Sequence, residues 1–289
     1  MLTIGLFPNT DKENVVTLLS QVMHHLQGLG VRILLPKVSA KEIGCPALGC
    51  SPQYMLQNIA LGITIGGDGT LLNTAREVSA AGIPICGINM GMLGFLTEID
   101  MPNLYASLDK LVRGEYLIEE HLMLDVLIVR NNTVIHVSPA LNDVVISKNG
   151  VSRMIKFNVL LNDVLTANYA ADGLIVATAT GSTGYSLSAG GPIINPLLQV
   201  MVLTPICSHT LHVRPLIVSG EEEIKVEITA NQEDVTLTID GQTIYSVMAN
   251  DIILVKRYPF NAKFIRLNGK SYYETLRTKL WRSDKDADL

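Results

Sequence analysis

Around Leu122 the hydrophobic period of this chain changes from about 3.6, the repeat of helices, to 2, the repeat of strands. Short apolar runs alternating with helix-period segments fold as a parallel sheet covered by helices. A long period-2 stretch folds as antiparallel sheet with one wet face. The chain has to contain both. In the first part, residues 3–7 read as a strand, and Asn9, Thr10 and Asp11 offer caps for a helix with Val15, Leu18, Leu19, Val22, Met23 and Leu26 on one face and Gly30 as its stop. Residues 31–35 form the next strand, 36–52 are punctuated by Pro and Gly, and 59–65 read as a buried strand. A helix over 70–81 closed by Gly82, a strand over 83–88 and a helix over 103–112 closed by Gly114 follow. In the second part, Asn131-Asn132, Asn149-Gly150 and Asn162-Asp163 stand between β-rich runs as hairpin signals, and Ile224, Val226, Ile228 and Val235, Leu237, Ile239 alternate with polar residues. A strand over 263–267 and a helix over 272–281 then return to the first pattern. The expected division is an α/β domain, 1–121 plus 263–289, and a β domain, 122–262.

With 289 residues the chain exceeds the size at which one hydrophobic core stops growing, and a 48% hydrophobic content supports two. Charged residues make up 17% and the net charge is −5, which gives no electrostatic case for nucleic acid or an anionic membrane surface. An anionic substrate must then be held by local groups. Met1-Leu2-Thr3-Ile4-Gly5-Leu6-Phe7 carries no basic leader and too short an apolar run for a signal peptide. The longest later apolar stretch, 197–207, is interrupted by Gln199 and falls far short of the roughly 20 residues of a membrane span. A soluble, cytoplasmic protein is expected, with Cys45, Cys50, Cys86 and Cys207 as reduced thiols. Cys45 and Cys50 lie close together, but no second pair completes a zinc ligand set.

Two nucleotide signatures are absent. Gly269-Lys270-Ser271 ends like a Walker A loop, but Phe264 occupies the place of its first glycine, and Leu72 stands where a dinucleotide fingerprint begun at Gly67 needs glycine or alanine. What is present is a strand, then Gly66-Gly67-Asp68-Gly69-Thr70, then a helix. Three glycines allow positive φ and a close approach to a ligand, while the helix start offers N–H groups and the positive end of a dipole; together these favour phosphate. The same residues also serve as a plain tight turn. Asp68 is the odd member, since a carboxylate among phosphates is unfavourable unless it receives a proton or holds a metal. Its presence points to chemistry.

Four further segments are informative: Gly87-Ile88-Asn89-Met90-Gly91-Met92-Leu93-Gly94-Phe95-Leu96; Asn142-Asp143-Val144-Val145; the long run from Asp172 to Pro192; and His209-Thr210-Leu211-His212-Val213-Arg214-Pro215-Leu216 with Asp240-Gly241-Gln242 further on. Together with the glycine turn, in this order and across most of the chain, they resemble the NAD kinase family. The resemblance implies a Rossmann-like N-terminal α/β domain completed by the C-terminal segment, a central all-β, sandwich-like domain, a site between them, and a homodimer or homotetramer. It implies transfer of the γ-phosphoryl group of ATP to the 2′-hydroxyl of the adenosine ribose of NAD, giving NADP. Asp68 would accept the hydroxyl proton, Gly66, Gly67, Gly69 and Thr70 would cradle phosphates, and Mg²⁺ or another divalent ion would arrive on the ATP phosphates with no metal ligands assigned to the protein.

Read physically, these segments suit a dinucleotide. Asn142 can donate and accept toward an adenine edge and Asp143 can accept from ribose hydroxyls, although the pair also reads as a turn before a strand. The loop 178–188 is rich in hydroxyls and backbone donors: Thr180, Gly181, Ser182, Thr183, Gly184, Ser186, Leu187 and Ser188 are candidate contacts, with Tyr185 placed to stack on a base and Gln242 as a further contact. Asp172 could accept from a carboxamide or sugar, or form an ordinary Asp-Gly turn. His209 and His212 lack a third ligand at metal spacing and read as pocket wall or core. Some positions depart from the family pattern: Asp143 stands for Glu, Ala179 for Pro, Gly184 for Ala, and Ala170 where many members carry Arg. Arg153 matches a basic residue that reaches the ligand, sometimes across a subunit contact. Two rivals share part of this set. Lipid kinases of the diacylglycerol and sphingosine type carry the glycine turn but not the long motif, and no basic amphipathic helix for a membrane is evident. A non-catalytic NAD(P)-binding sensor would keep the binding contacts, but retention of Asp68 speaks against it.

Overall fold

Alternating apolar runs and helices build the first of two units, Met1–Glu119 with Lys263–Leu289. The computed structural model describes residues 1–91, 94–149, 154–209, 212–228, 235–267, 269 and 271–280. Met92, Leu93, Gly150, Arg153, Thr210, Leu211, Lys270 and Trp281, all singled out in the sequence, lie outside the described residues. The chain opens with β1 (Thr3–Pro8), α1 (Val15–Gly28), β2 (Arg32–Pro36), α2 (Lys37–Glu42), β3 (Gly49–Cys50), α3 (Pro52–Asn58), β4 (Leu61–Gly66), α4 (Asp68–Val78), β5 (Ile85–Asn89), α5 (Leu104–Arg113) and β6 (Leu117–His121). The apolar stripe of α1 behaves as its spacing predicts: Val15, Leu18, Leu19, Val22 and Leu26 are buried against Ile4, Leu6, Ile63 and Ile65. Its start does not. The helix begins after Asn14, which has φ 65, and no side chain caps it. Asn9 is tied elsewhere, since its N–H donates to the Ile65 carbonyl at 2.9 Å and its Oδ1 accepts from Asp11 N at 3.2 Å. Residues 9–12 are thereby held at the end of β4. The expected helical stops Gly30, Gly82 and Gly114 all have positive φ.

The punctuated stretch 36–52 contains more structure than its composition suggests, namely α2, a 3₁₀ turn at Pro46–Leu48 and β3. It is followed by α3, which carries a legible start signal: Pro52 at its first position and Ser51 as N-cap, accepting from Tyr54 N at 3.3 Å.

The second unit, Glu120–Ala262, is a sandwich. It holds β7 (Leu124–Arg130), β8 (Thr133–His136), β9 (Asp143–Lys148), β10 (Ile155–Leu161), β11 (Val164–Ala171), β12 (Gly173–Thr178), the single turn α6 (Tyr185–Ser188), β13 (Val200–Ile206), β14 (Leu216–Ser219), β15 (Ile224–Ile228), β16 (Val235–Ile239), β17 (Thr243–Val247) and β18 (Ile252–Arg257). One antiparallel sheet runs β11-β10-β15-β18-β7-β8 and the other β14-β13-β12-β9-β16-β17. Val126, Phe157, Val226 and Val255 from the first meet Val144, Ile146, Leu174, Leu203 and Leu237 from the second. Asn131-Asn132 (φ 49 and 60) joins β7 to β8, and Asn162-Asp163 (φ 47 and 63) joins β10 to β11, the conformation a two-residue hairpin demands. Strand β12 is buried along its whole length, because its second face packs Ile175 and Ala177 against Val145, Val202 and Ile194.

The chain then returns to the first unit as β19 (Ala262–Arg266) and α7 (Tyr272–Leu280). The first unit's sheet has the order β3-β2-β1-β4-β5-β19-β6, so the last strand is an interior one, parallel to β5 with Phe264 opposite Ile85. An α/β part completed by the C-terminal segment and a β-sandwich part are the architecture expected from the sequence. In such sheets ligands bind beyond the carboxyl ends of the strands, and Gly66 ends β4.

Candidate functional site

At that carboxyl end the chain passes from β4 into α4 through Gly66-Gly67-Asp68-Gly69-Thr70. The helix begins at Asp68, two positions before the expected 70, with the Thr70 N–H donating to the Gly67 carbonyl at 3.1 Å. None of the three glycines has positive φ. The turn is made by extended backbone at Gly67 (φ −124, ψ −170), not by the left-handed conformation that three glycines suggest. A Cβ on Gly67 would lie 3.3 Å from Lys12 Nζ, so an ammonium group stands beside the phosphate-type turn. Sequence reading missed Lys12, because only the tie between Asn9 and Ile65 brings that distant segment here.

Asp68 sits in the first turn of α4, where a carboxylate is favoured by the helix dipole. Its oxygens face the loop after β5. Oδ2 accepts from Phe95 N at 2.9 Å, and Oδ1 accepts from Leu96 N at 3.4 Å and Thr97 N at 3.3 Å. The loop comes this close because residue 94 is glycine; a Cβ there would overlap the Asp68 carboxylate. The Gly94 N–H in turn donates to Thr97 Oγ1 at 3.0 Å, and Asn89 starts the loop with an Asx turn that bonds Gly91. Two motifs far apart in sequence, the glycine turn and the 87–96 stretch, thus meet at one carboxylate.

The second unit gathers another set. Asn142 precedes β9 and Asp143 opens it, and the carboxylate of Asp240, the residue after β16, accepts from the backbone N–H groups of Leu141 (3.1 Å), Asn142 (2.7 Å) and Asp143 (3.1 Å). Asp240 N donates back to the Asp143 carbonyl at 2.9 Å. Asp143 is only 5% exposed; burial first, and then the neighbouring Asp240 carboxylate, push its carboxyl up to about 7, against a hydrogen bond from the Tyr185 backbone N–H. Asn142 Oδ1 is buried and has no hydrogen-bond partner among the described residues. Gly181 packs onto the Asn142 backbone so closely that a Cβ would overlap its carbonyl. Thr178 Oγ1 donates to Leu141 O at 2.6 Å and accepts from Gly181 N at 3.0 Å, which fixes the start of the hydroxyl-rich loop.

Several hydroxyls of that loop are engaged within the protein. Ser182 Oγ donates to Ala179 O at 2.7 Å and accepts from Ile194 N at 3.0 Å. Ser186 Oγ pairs with Thr204 Oγ1 at 2.9 Å, and Thr180 Oγ1 pairs with Nδ1 of the fully buried His121 at 2.9 Å. These side chains build the loop's frame, because a short polar loop wrapped round a buried strand has to satisfy its own polar groups. Tyr185 (48% exposed), Ser188 and Gln242 are exposed, while Thr183, Gly184 and Leu187 are half-buried. Asp172 lies elsewhere. It pairs with Lys148 Nζ at 2.8 Å at the far end of β9 and β12, a strand length of roughly 17 Å from Asn142-Asp143 at about 3.4 Å per residue. Among the described residues no group of three or more His, Cys, Asp or Glu converges, His209 and His212 included.

Comparison with known proteins agrees along the whole chain. Residues 52–116 match the family described as ATP-NAD kinase N-terminal domain and residues 141–267 the one described as ATP-NAD kinase C-terminal domain. An NAD kinase of Moorella thermoacetica is 45% identical over 280 residues, covering 97% of this chain and 89% of the relative. One of Desulforamulus reducens is 40% identical over 288 residues, covering 99% and 100%. Among solved structures, an NAD kinase from Archaeoglobus fulgidus in complex with ATP has a TM-score of 0.75 at 25% identity, covering 96% of this chain and 98% of that one. A yeast NADH kinase complexed with NADH has a TM-score of 0.86 at 22% identity, covering 97% and 87%, a likeness of fold alone. With both domain descriptions matched and such relatives aligned over nearly its full length, the chain belongs to the NAD kinase family.

Proposed function

We infer that this protein transfers the γ-phosphoryl group of ATP to the 2′-hydroxyl of the adenosine ribose of NAD, giving NADP. The observation that carries the reading is Asp68 at the start of α4, gripped by the 95–97 backbone, in a chain whose family match continues across 141–267. A lipid kinase shares only the glycine turn, and a sensor has no use for a carboxylate at the phosphate site.

In the proposed mechanism Asp68 accepts the hydroxyl proton as the 2′-oxygen attacks the γ-phosphorus, and the bond from that phosphorus to the β,γ-bridging oxygen breaks with ADP as the leaving group. A carboxylate offers about four acceptor positions. Three are filled by N–H donors, which orient it and leave one for the substrate hydroxyl. The start of α4 and the Lys12 ammonium would hold the phosphates. A divalent ion such as Mg²⁺ fits this donor set as an ion carried on the triphosphate, with Asp68 as the carboxylate of the turn, and it would neutralise charge on the transferred group. In the second unit, Asn142 Oδ1 is an acceptor in need of a donor such as the adenine amino group, Asp143 would take ribose hydroxyls, and Tyr185 would stack on a base. Asp172, one strand length away, suits the other end of an extended dinucleotide, and Arg153 and Gln242 are proposed as further contacts from their resemblance to the family pattern. Assembly as a homodimer or homotetramer in the cytoplasm belongs to the same proposal. No described helix is long and apolar enough to cross a membrane.

Purified protein incubated with NAD, ATP and Mg²⁺ should form NADP, read by an NADP-specific dehydrogenase, and should not phosphorylate diacylglycerol or sphingosine. Lipid phosphorylation without NADP would reverse the assignment, and NAD binding without turnover would favour the sensor.

A further inference from the structure

The grip on Asp68 is only as firm as the loop that supplies it, and within the first unit that loop is held from two sides. On one side the Glu98 and Ile99 N–H groups donate to the Gly87 carbonyl, both at 3.0 Å, and Asn89 N donates to Ile99 O at 2.9 Å, tying the loop's exit to β5. On the other stands Arg266, from the returning strand β19. Its NH1 donates to the Leu96 carbonyl at 3.2 Å, and Leu96 is the middle of the three residues whose N–H groups hold Asp68. The guanidinium is itself fixed: Nε donates to Glu119 Oε2 at 2.7 Å, NH1 lies 3.5 Å from Glu98 Oε2, and the group sits over the Phe264 ring at 5.9 Å. Glu98 is 9% exposed and its other oxygen accepts from Leu267 N at 3.0 Å, so both ends of the cluster are anchored in backbone. The planar fork of arginine reaches two carboxylates and a carbonyl at once, which a lysine ammonium cannot do in the same plane.

We propose that Arg266 is a positioning residue for phosphoryl transfer, holding the Leu96 carbonyl so that the 95–97 N–H row keeps the Asp68 carboxylate aimed at the acceptor hydroxyl. The inference rests on the phosphotransferase reading above. It also gives the C-terminal return of the chain a part in the chemistry besides closing the sheet.

The test compares Arg266→Gln with the parent in both the native and the Asp68→Asn backgrounds, using the full-length protein. With Asp68 present, kcat should fall on the order of 10²-fold, the effect of misplacing a reacting group by about an ångström, while KM for NAD stays within about threefold. With Asn at 68, the second substitution should lower the residual rate hardly at all, since the group it positions is gone. Equal loss in both backgrounds, or an unchanged kcat in the native background, would overturn the proposal. If Arg266→Gln does not fold, Arg266→Lys retains a charge between Glu98 and Glu119 but not the fork, and the same comparison is made with it. Thr97→Val, which removes the acceptor of Gly94 N, should show the same non-additivity from within the loop. Absence of NADP formation by the parent protein would instead refute the phosphotransferase reading, so the two failures are distinct.

Discussion

Asp68 accepts hydrogen bonds from a loop and, in the proposed mechanism, also accepts a proton, and substitution separates the two. Asp68→Asn keeps the shape and one acceptor oxygen but turns an NH₂ toward N–H donors, so kcat should fall about 10²–10⁴-fold with NAD affinity little changed. If Asp68 mainly holds Mg²⁺, excess Mg²⁺ will recover much of the rate; turnover within a few-fold of the parent would remove both roles. Asp143 makes a different prediction, about stability. Its carboxyl is raised from an ordinary 3.8 to about 7 in the folded chain. Between those values the folded protein holds a proton that the unfolded chain has released. This contribution is therefore complete below the unfolded pKa and is lost as pH rises through the folded one. Urea midpoints should fall between about pH 4 and pH 7, with a slope of at most about 1.4 kcal/mol per pH unit from this group, and the Asp143→Asn variant should lack that part of the slope. An identical pH profile in the variant would show that the proton sits elsewhere.

At the scale of elements, the loop after β5 reaches Asp68 through the Phe95, Leu96 and Thr97 N–H groups, and the proposed site depends on it. Gly94→Ala tests this directly, because the added methyl must displace the Asp68 carboxylate. The expected result is a kcat loss on the order of 10²-fold with Tm lowered by only about 2–4 °C; a rate loss no larger than the loss of folded protein would make the contact merely structural. This loop also marks where sequence reading stops. The β4–α4 junction was legible because a buried apolar run, three glycines and a helical stripe coincide, and the hairpins at Asn131-Asn132 and Asn162-Asp163 because those residues tolerate positive φ. The pairing of Asp240 with the 141–143 backbone, of His121 with Thr180, and of Lys12 with Gly67 was not legible, since each joins segments that only the folded sheets bring together. The loop 178–188 was marked out by its place in the family-like run from Asp172 to Pro192, but which of its hydroxyls face inward depends on the second covered face of β12, which no period-2 pattern announces.

For the whole molecule the telling feature is the sheet order, in which β19 lies between β5 and β6. A chain ended at Ala262 lacks that interior strand, so the first unit should lose its cooperative melting transition while the strands of the second unit retain slow amide exchange. Equal protection of both units in the truncated chain would show that β19 is dispensable. The same order has a consequence for biosynthesis. On the ribosome β1 to β5 emerge first, but their neighbour is made only after the entire span Glu120–Ala262, which takes roughly 7–30 s at about 5–20 residues per second. During that interval the β5 edge is an open, apolar template for pairing with other nascent chains. The sandwich, contiguous in the message, is free to fold in the meantime, and the first unit's sheet is completed only when β19, made after that span, joins it.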